Sequence, residues 1–138
     1  MKLKVCGMKF PKNISEIESL RPDFMGFIFY NKSKRFFDQN ELVLNDKINR
    51  VGVFVDEEIE EIKEKIIKFK LDFVQLHGNE NVDFCKSLKP FIKIIKVFKI
   101  NNTFDFNTSK NFEEVSDYFL FDTKSNLHGG SGIKFDWN

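Results

Sequence analysis

A chain of 138 residues with 41% hydrophobic and 31% charged side chains has the make-up of one globular domain, and 22 Lys+Arg against 21 Asp+Glu leave a formal net charge of +1. That balance gives no electrostatic case for nucleic acid or a membrane surface, and the two cysteines do not make a disulfide framework. The opening Met1-Lys2-Leu3-Lys4-Val5-Cys6 lacks the apolar core of a signal peptide, and no run approaches the roughly 20 apolar residues that span a bilayer, so a reduced, cytoplasmic protein is expected.

Short apolar runs alternate with helical patterns along the chain. Residues 3–6 read as a strand that turns at Gly7. Ile14, Ile17 and Leu20 follow at the spacing of one helical face, with Asn13 and Glu16 placed as a capping box. Residues 24–29 are continuously apolar, as a strand buried on both faces should be. Asp38 with Glu41 is placed to cap a short second helix, and residues 51–55 form the third strand. The clearest helix spans 56–70, with Ile59, Ile62, Ile66 and Ile67 on one face and Glu61–Lys65 and Glu64–Lys68 at i, i+4. Strands at 73–76, 92–98 and 118–121 frame a helix at 81–88 and a loop followed by a helix at 101–114. This alternation implies a parallel sheet of right-handed βαβ units.

Several residues invite a chemical reading. Cys6 ends the first strand before Gly7, although a cysteine so placed is more often a small buried hydrophobe. Cys85 shares a helical face with Val82 and Leu88 and belongs to the core. Asp122 ends the apolar run Tyr118-Phe119-Leu120-Phe121, where a carboxylate is costly unless it caps, pairs or functions. Arg35, in Ser33-Lys34-Arg35, reads by itself as part of a solvated basic loop. Gln75 and His77 alternate on the fourth strand and so point to one side. Gly129-Gly130-Ser131-Gly132 offers backbone N–H groups to a phosphate, as many glycine-rich strings do. His77, His128 and the cysteines lack zinc-type spacing.

Together, Val5-Cys6-Gly7, Ser33-Lys34-Arg35, Gln75-Leu76-His77-Gly78 and Leu120-Phe121-Asp122-Thr123 closely resemble the phosphoribosylanthranilate isomerase family of tryptophan biosynthesis, from Lys2 to Trp137. The resemblance implies a parallel (β/α) barrel of the TIM type, in which strand C-terminal ends share one face and build one site. It implies an Amadori rearrangement of N-(5′-phosphoribosyl)anthranilate, with Cys6 as general base and Asp122 as general acid. Such an acid must hold a proton in the substrate complex, and the base must work as a thiolate. Arg35 takes the place of the family arginine that holds the anthranilate carboxylate, a task suited to its planar fork. Gln75 and His77 are expected to orient substrate or support the charge on Asp122 or Cys6, and Gly129, Gly130, Ser131 and Gly132 to close over the site. Ile133 departs from the family, which has lysine there. The reaction moves protons and calls for no metal and no organic cofactor; the expected partner is a small phosphosugar.

Length qualifies this reading. A complete eightfold barrel takes roughly 200 residues or more, so residues 1–138 are expected to form one domain, the first three-quarters of a barrel, with about six of eight units. Phosphate sites in such barrels are typically built after strands 7 and 8. By itself the chain is therefore expected to show no measurable turnover and to self-associate through uncovered barrel edges. The alternatives are an inactive fragment completed by a second polypeptide, or another phosphate-binding barrel such as a pentose-phosphate epimerase or indole-glycerol-phosphate synthase. The joint occurrence of the four motifs argues against the latter.

Overall fold

The computed structural model describes residues 1–101 and 103–123. The elements run β1 (Lys4–Cys6), α1 (Pro11–Ser19), β2 (Phe24–Ile28), β3 (Asn49–Phe54), α2 (Ile59–Phe69), β4 (Phe73–Leu76), α3 (Val82–Leu88), β5 (Lys93–Ile100), α4 (Asn107–Lys110) and β6 (Tyr118–Thr123). All pairings are parallel and the sheet order is β1-β2-β3-β4-β5-β6. The sheet curls. Lys2 Nζ donates to the Tyr118 hydroxyl at 2.8 Å, and the Tyr118 ring lies 6.0 Å from Phe24 and 5.8 Å from Phe73.

The curl explains why the strands read as continuous apolar runs. Alternate residues face opposite sides, and here both sides are covered. Phe24, Val51, Phe73 and Ile95 form one apolar cluster inside the curl, with Leu120 packed against it. Met25, Phe27, Phe54, Val74, Leu76, Ile94 and Phe98 face outward and pack with Ile14, Ile62, Phe69, Cys85 and Leu88 of the helices. This is the two-layer burial of a parallel α/β sheet.

Four local expectations are corrected. α1 starts at Pro11 with Phe10 at the N-cap and no side-chain cap, so Asn13 and Glu16 form no capping box; proline at the first helical position sets an earlier start. No helix forms between β2 and β3. Asp38 instead pairs with Lys9 at 3.2 Å, and Asn45 accepts from the Lys47 N–H at 2.9 Å, a local bond that competes with helix. Asp56 stands outside α2 at φ 49°, its carboxylate accepting the Asn79 N–H, and the helix stops at left-handed Lys70. Ile67 is exposed, while Ile62 is fully buried and Ile59 and Ile66 pack on the core. α3 has a side-chain cap: Asn81 accepts the Phe84 N–H at 2.9 Å.

Candidate active site

Because every strand runs the same way, the C-terminal ends of β1 to β6 share one rim. The inward residues there line a single pocket. Its walls are apolar at Ile28, Val53, Val55 and Leu120, and its polar groups are Lys4, Cys6, Tyr30, Ser33, Arg35, Gln75, His77 and Asp122. Cys6 and Asp122, at the ends of the first and sixth strands, thus meet in one cavity.

Two glycines make that possible. A Cβ on Gly26, which lies beside Cys6 in the β1–β2 register, would stand 2.6 Å from Cys6 Sγ, so only glycine leaves room for the thiol. Gly7 turns the chain at φ 87°, and a Cβ there would meet Arg35 Nη1 at 2.6 Å. Arg35 therefore lies across the end of β1, where Nη1 donates to the Cys6 carbonyl at 3.1 Å. The guanidinium has five donors, so this one bond leaves others to meet a carboxylate.

Across the pocket, His77 Nε2 sits 3.3 Å from Asp122 Oδ2, and His77 Nδ1 sits 3.2 Å from Gln75 Nε2. Gln75 is buried, and its Oε1 accepts from Lys4 Nζ at 2.8 Å. Lys4 was not singled out by sequence reasoning. The available signal was alternation: Lys4 is two residues before Cys6 and so faces the same side.

The second cysteine is chemically different. Cys85 is fully buried on α3, and burial pushes its thiol up to about 11, with Glu80 adding to the shift against the opposing Lys96. It is a core residue, as its helical face implies. Lys34, exposed, does not line the pocket. Gly129, Gly130, Ser131 and Gly132 lie outside the described residues, as does Ile133.

Residues 3–138 match the family model of N-(5′-phosphoribosyl)anthranilate (PRA) isomerase. The N-(5′-phosphoribosyl)anthranilate isomerase of Parabacteroides distasonis is 43% identical over the whole of this chain, which covers 66% of that protein. The crystal structure of phosphoribosyl anthranilate isomerase from Thermotoga maritima is 33% identical with a TM-score of 0.82, covering 99% of this chain and 68% of that one. A second solved isomerase, in complex with reduced 1-(o-carboxyphenylamino)-1-deoxyribulose 5-phosphate, is 31% identical with a TM-score of 0.75, covering 90% of this chain and 66% of that one. The chain thus spans about two thirds of the length of these relatives. With the six parallel units of a TIM-type barrel, the pocket on their shared rim and a family match over nearly every residue, the chain belongs to the N-(5′-phosphoribosyl)anthranilate isomerase family.

Proposed function

We propose that this chain carries the acid–base machinery of a phosphoribosylanthranilate isomerase, converting N-(5′-phosphoribosyl)anthranilate to 1-(2-carboxyphenylamino)-1-deoxyribulose 5-phosphate in tryptophan biosynthesis. The observation that carries this reading is the meeting of Cys6 and Asp122 in one pocket with Arg35 at its edge. Asp122 gives a proton to the furanose ring oxygen, and the ring opens to a Schiff base. The Cys6 thiolate takes the proton from C2′, and the resulting enolamine tautomerises to the ketose. One group must start protonated and the other ionised, so their surroundings must differ. Asp122 faces His77, while Cys6 stands against Gly26 and the backbone that Arg35 grips.

Arg35 holds the anthranilate carboxylate, His77 and Gln75 orient the site, and the Gly129–Gly132 string closes over it. The six units act as the first three-quarters of an eightfold barrel in the cytoplasm, the remaining units supplying the phosphate site. Left uncovered, the β1 and β6 edges favour association between copies. No helix among the described residues is long and apolar enough to cross a membrane.

The test is to join the chain to the last two barrel units of one of these relatives, incubate the completed barrel with N-(5′-phosphoribosyl)anthranilate and follow the appearance of a product of unchanged mass. Conversion is expected, and its absence would sink the proposed reaction. In the same assay Arg35→Met is expected to raise KM about tenfold or more, the worth of a charged hydrogen bond. Unchanged kinetics in that variant would remove Arg35 from carboxylate recognition while leaving the reaction standing.

A further inference from the structure

The polar groups on the inner wall form a line whose hydrogens can be assigned by elimination. Lys4 Nζ lies 2.8 Å from Gln75 Oε1, Gln75 Nε2 lies 3.2 Å from His77 Nδ1, and His77 Nε2 lies 3.3 Å from Asp122 Oδ2. An ammonium only donates, so the oxygen of the Gln75 amide must be the end that faces Lys4. The NH2 end then faces His77, and it too can only donate. His77 Nδ1 must therefore present a lone pair. A neutral imidazole with a bare Nδ1 carries its proton on Nε2, which is the nitrogen aimed at Asp122.

Resting on the isomerase reading above, we infer that Lys4 and Gln75 are positioning residues that hold His77 as the neutral, Nε2-protonated tautomer, so that its N–H is turned toward Asp122, 3.3 Å away. An imidazolium is disfavoured in this arrangement, because a proton on Nδ1 would point at the amide NH2. The other titratable or charged side chains lining the pocket are Cys6, Tyr30 and Arg35. With the His77 N–H turned toward Asp122 Oδ2, the acid's own proton is directed to Oδ1. The burial of Gln75, at 3% exposure, keeps water from replacing the amide in this role. Sequence reading already gave His77 a supporting part. What is new is the two-residue device that sets its tautomer.

The ring nitrogens of His77 report the claim directly. Long-range proton–nitrogen NMR on the protein, with His77 and His128 told apart by His128→Asn, is expected to show the His77 proton on Nε2 and a bare Nδ1 at neutral pH. Gln75→Glu replaces the donor facing Nδ1 with an acceptor of the same shape, and is expected to place a proton on Nδ1. The same variant should lower kcat about tenfold or more with a smaller change in KM, the scale seen when a partner that orients a functional histidine is lost. Lys4→Met, which releases the amide to turn over, should give a mixture of tautomers and an intermediate loss. A wild-type ring protonated on Nδ1, or on both nitrogens, would overturn the proposal whether or not any variant folds. A switched ring with unchanged kcat would overturn the positioning role and leave the isomerase reading intact. Inactivity of the wild-type protein would count against that reading and not against the tautomer.

Discussion

Cys6→Ala and Asp122→Asn are each expected to lower turnover by about a hundredfold or more, the usual scale for a general acid or base. KM should change far less, because the carboxylate and phosphate of the substrate are held elsewhere. The two variants should also fail at different steps. If Asp122 is the proton donor for ring opening, the closed substrate should persist unchanged in Asp122→Asn. If Cys6 takes the C2′ proton, ring opening should continue in Cys6→Ala while the ketose does not form. Stopped-flow kinetics with each variant checks this, and near-wild-type turnover in either one would remove that residue from the mechanism. Neither substitution enlarges a side chain, and Asp122 is not buried in the apolar core.

Lys96→Met is expected to be the most damaging change outside the pocket. Lys96 Nζ lies 2.7 Å from Glu80 Oε2, and the two side chains are 4% and 2% exposed. The same carboxylate accepts from the Asp56 N–H at 3.0 Å and the Gly78 N–H at 3.1 Å, and Lys96 Nζ donates to the Gly78 carbonyl at 3.2 Å. One buried ion pair thus ties the loops after β3 and β4 to β5. Removing one partner leaves an uncompensated charge in the interior, which costs about 3–5 kcal/mol. Urea denaturation of Lys96→Met should show that loss, and Lys96→Met combined with Glu80→Gln should recover part of it. A cost below about 1 kcal/mol, the range of exposed pairs, would contradict the role given to this pair.

The fold was legible because its signal is periodic. Continuous apolar runs separated by helical patterns mark a doubly covered parallel sheet, and β4 matches its expected span, residue for residue. The connection between β2 and β3 was misread because capping residues are equally at home in turns. Asp38 pairs with Lys9, from the segment after β1, rather than starting a helix. Ile67 was misplaced because a face drawn from 3.6 periodicity is wider than the stripe that touches the sheet.

Asp122 stood out in the sequence as a carboxylate closing an apolar strand, whereas Cys6 and His77, which line the same pocket, drew their weight from the resemblance. Arg35 needed the family resemblance, since nothing in Ser33-Lys34-Arg35 alone tells a clamp from a solvated loop. Lys4 and Lys96 were missed for one shared reason. A lysine in a strand reads as exposed, and only the inner face of the curled sheet for Lys4 and the buried carboxylate of Glu80 for Lys96 account for these positions. The sequence did hold a clue for Lys96, a lone charge within Ile94-Ile95-Lys96-Val97-Phe98.

The pairing of a thiolate base with a carboxylic acid across one substrate is tested most directly by a crystal structure of the chain, completed with the last two barrel units of a relative, with reduced 1-(o-carboxyphenylamino)-1-deoxyribulose 5-phosphate. The sugar is expected to lie between the two groups, with Cys6 Sγ about 3–3.5 Å from C2′, the reach of a reacting pair. The Asp122 carboxyl should hydrogen-bond the hydroxyl that derives from the ring oxygen, and Arg35 should meet the aromatic carboxylate. A ligand bound with C2′ turned away from Cys6, or with its carboxylate far from Arg35, would contradict the account.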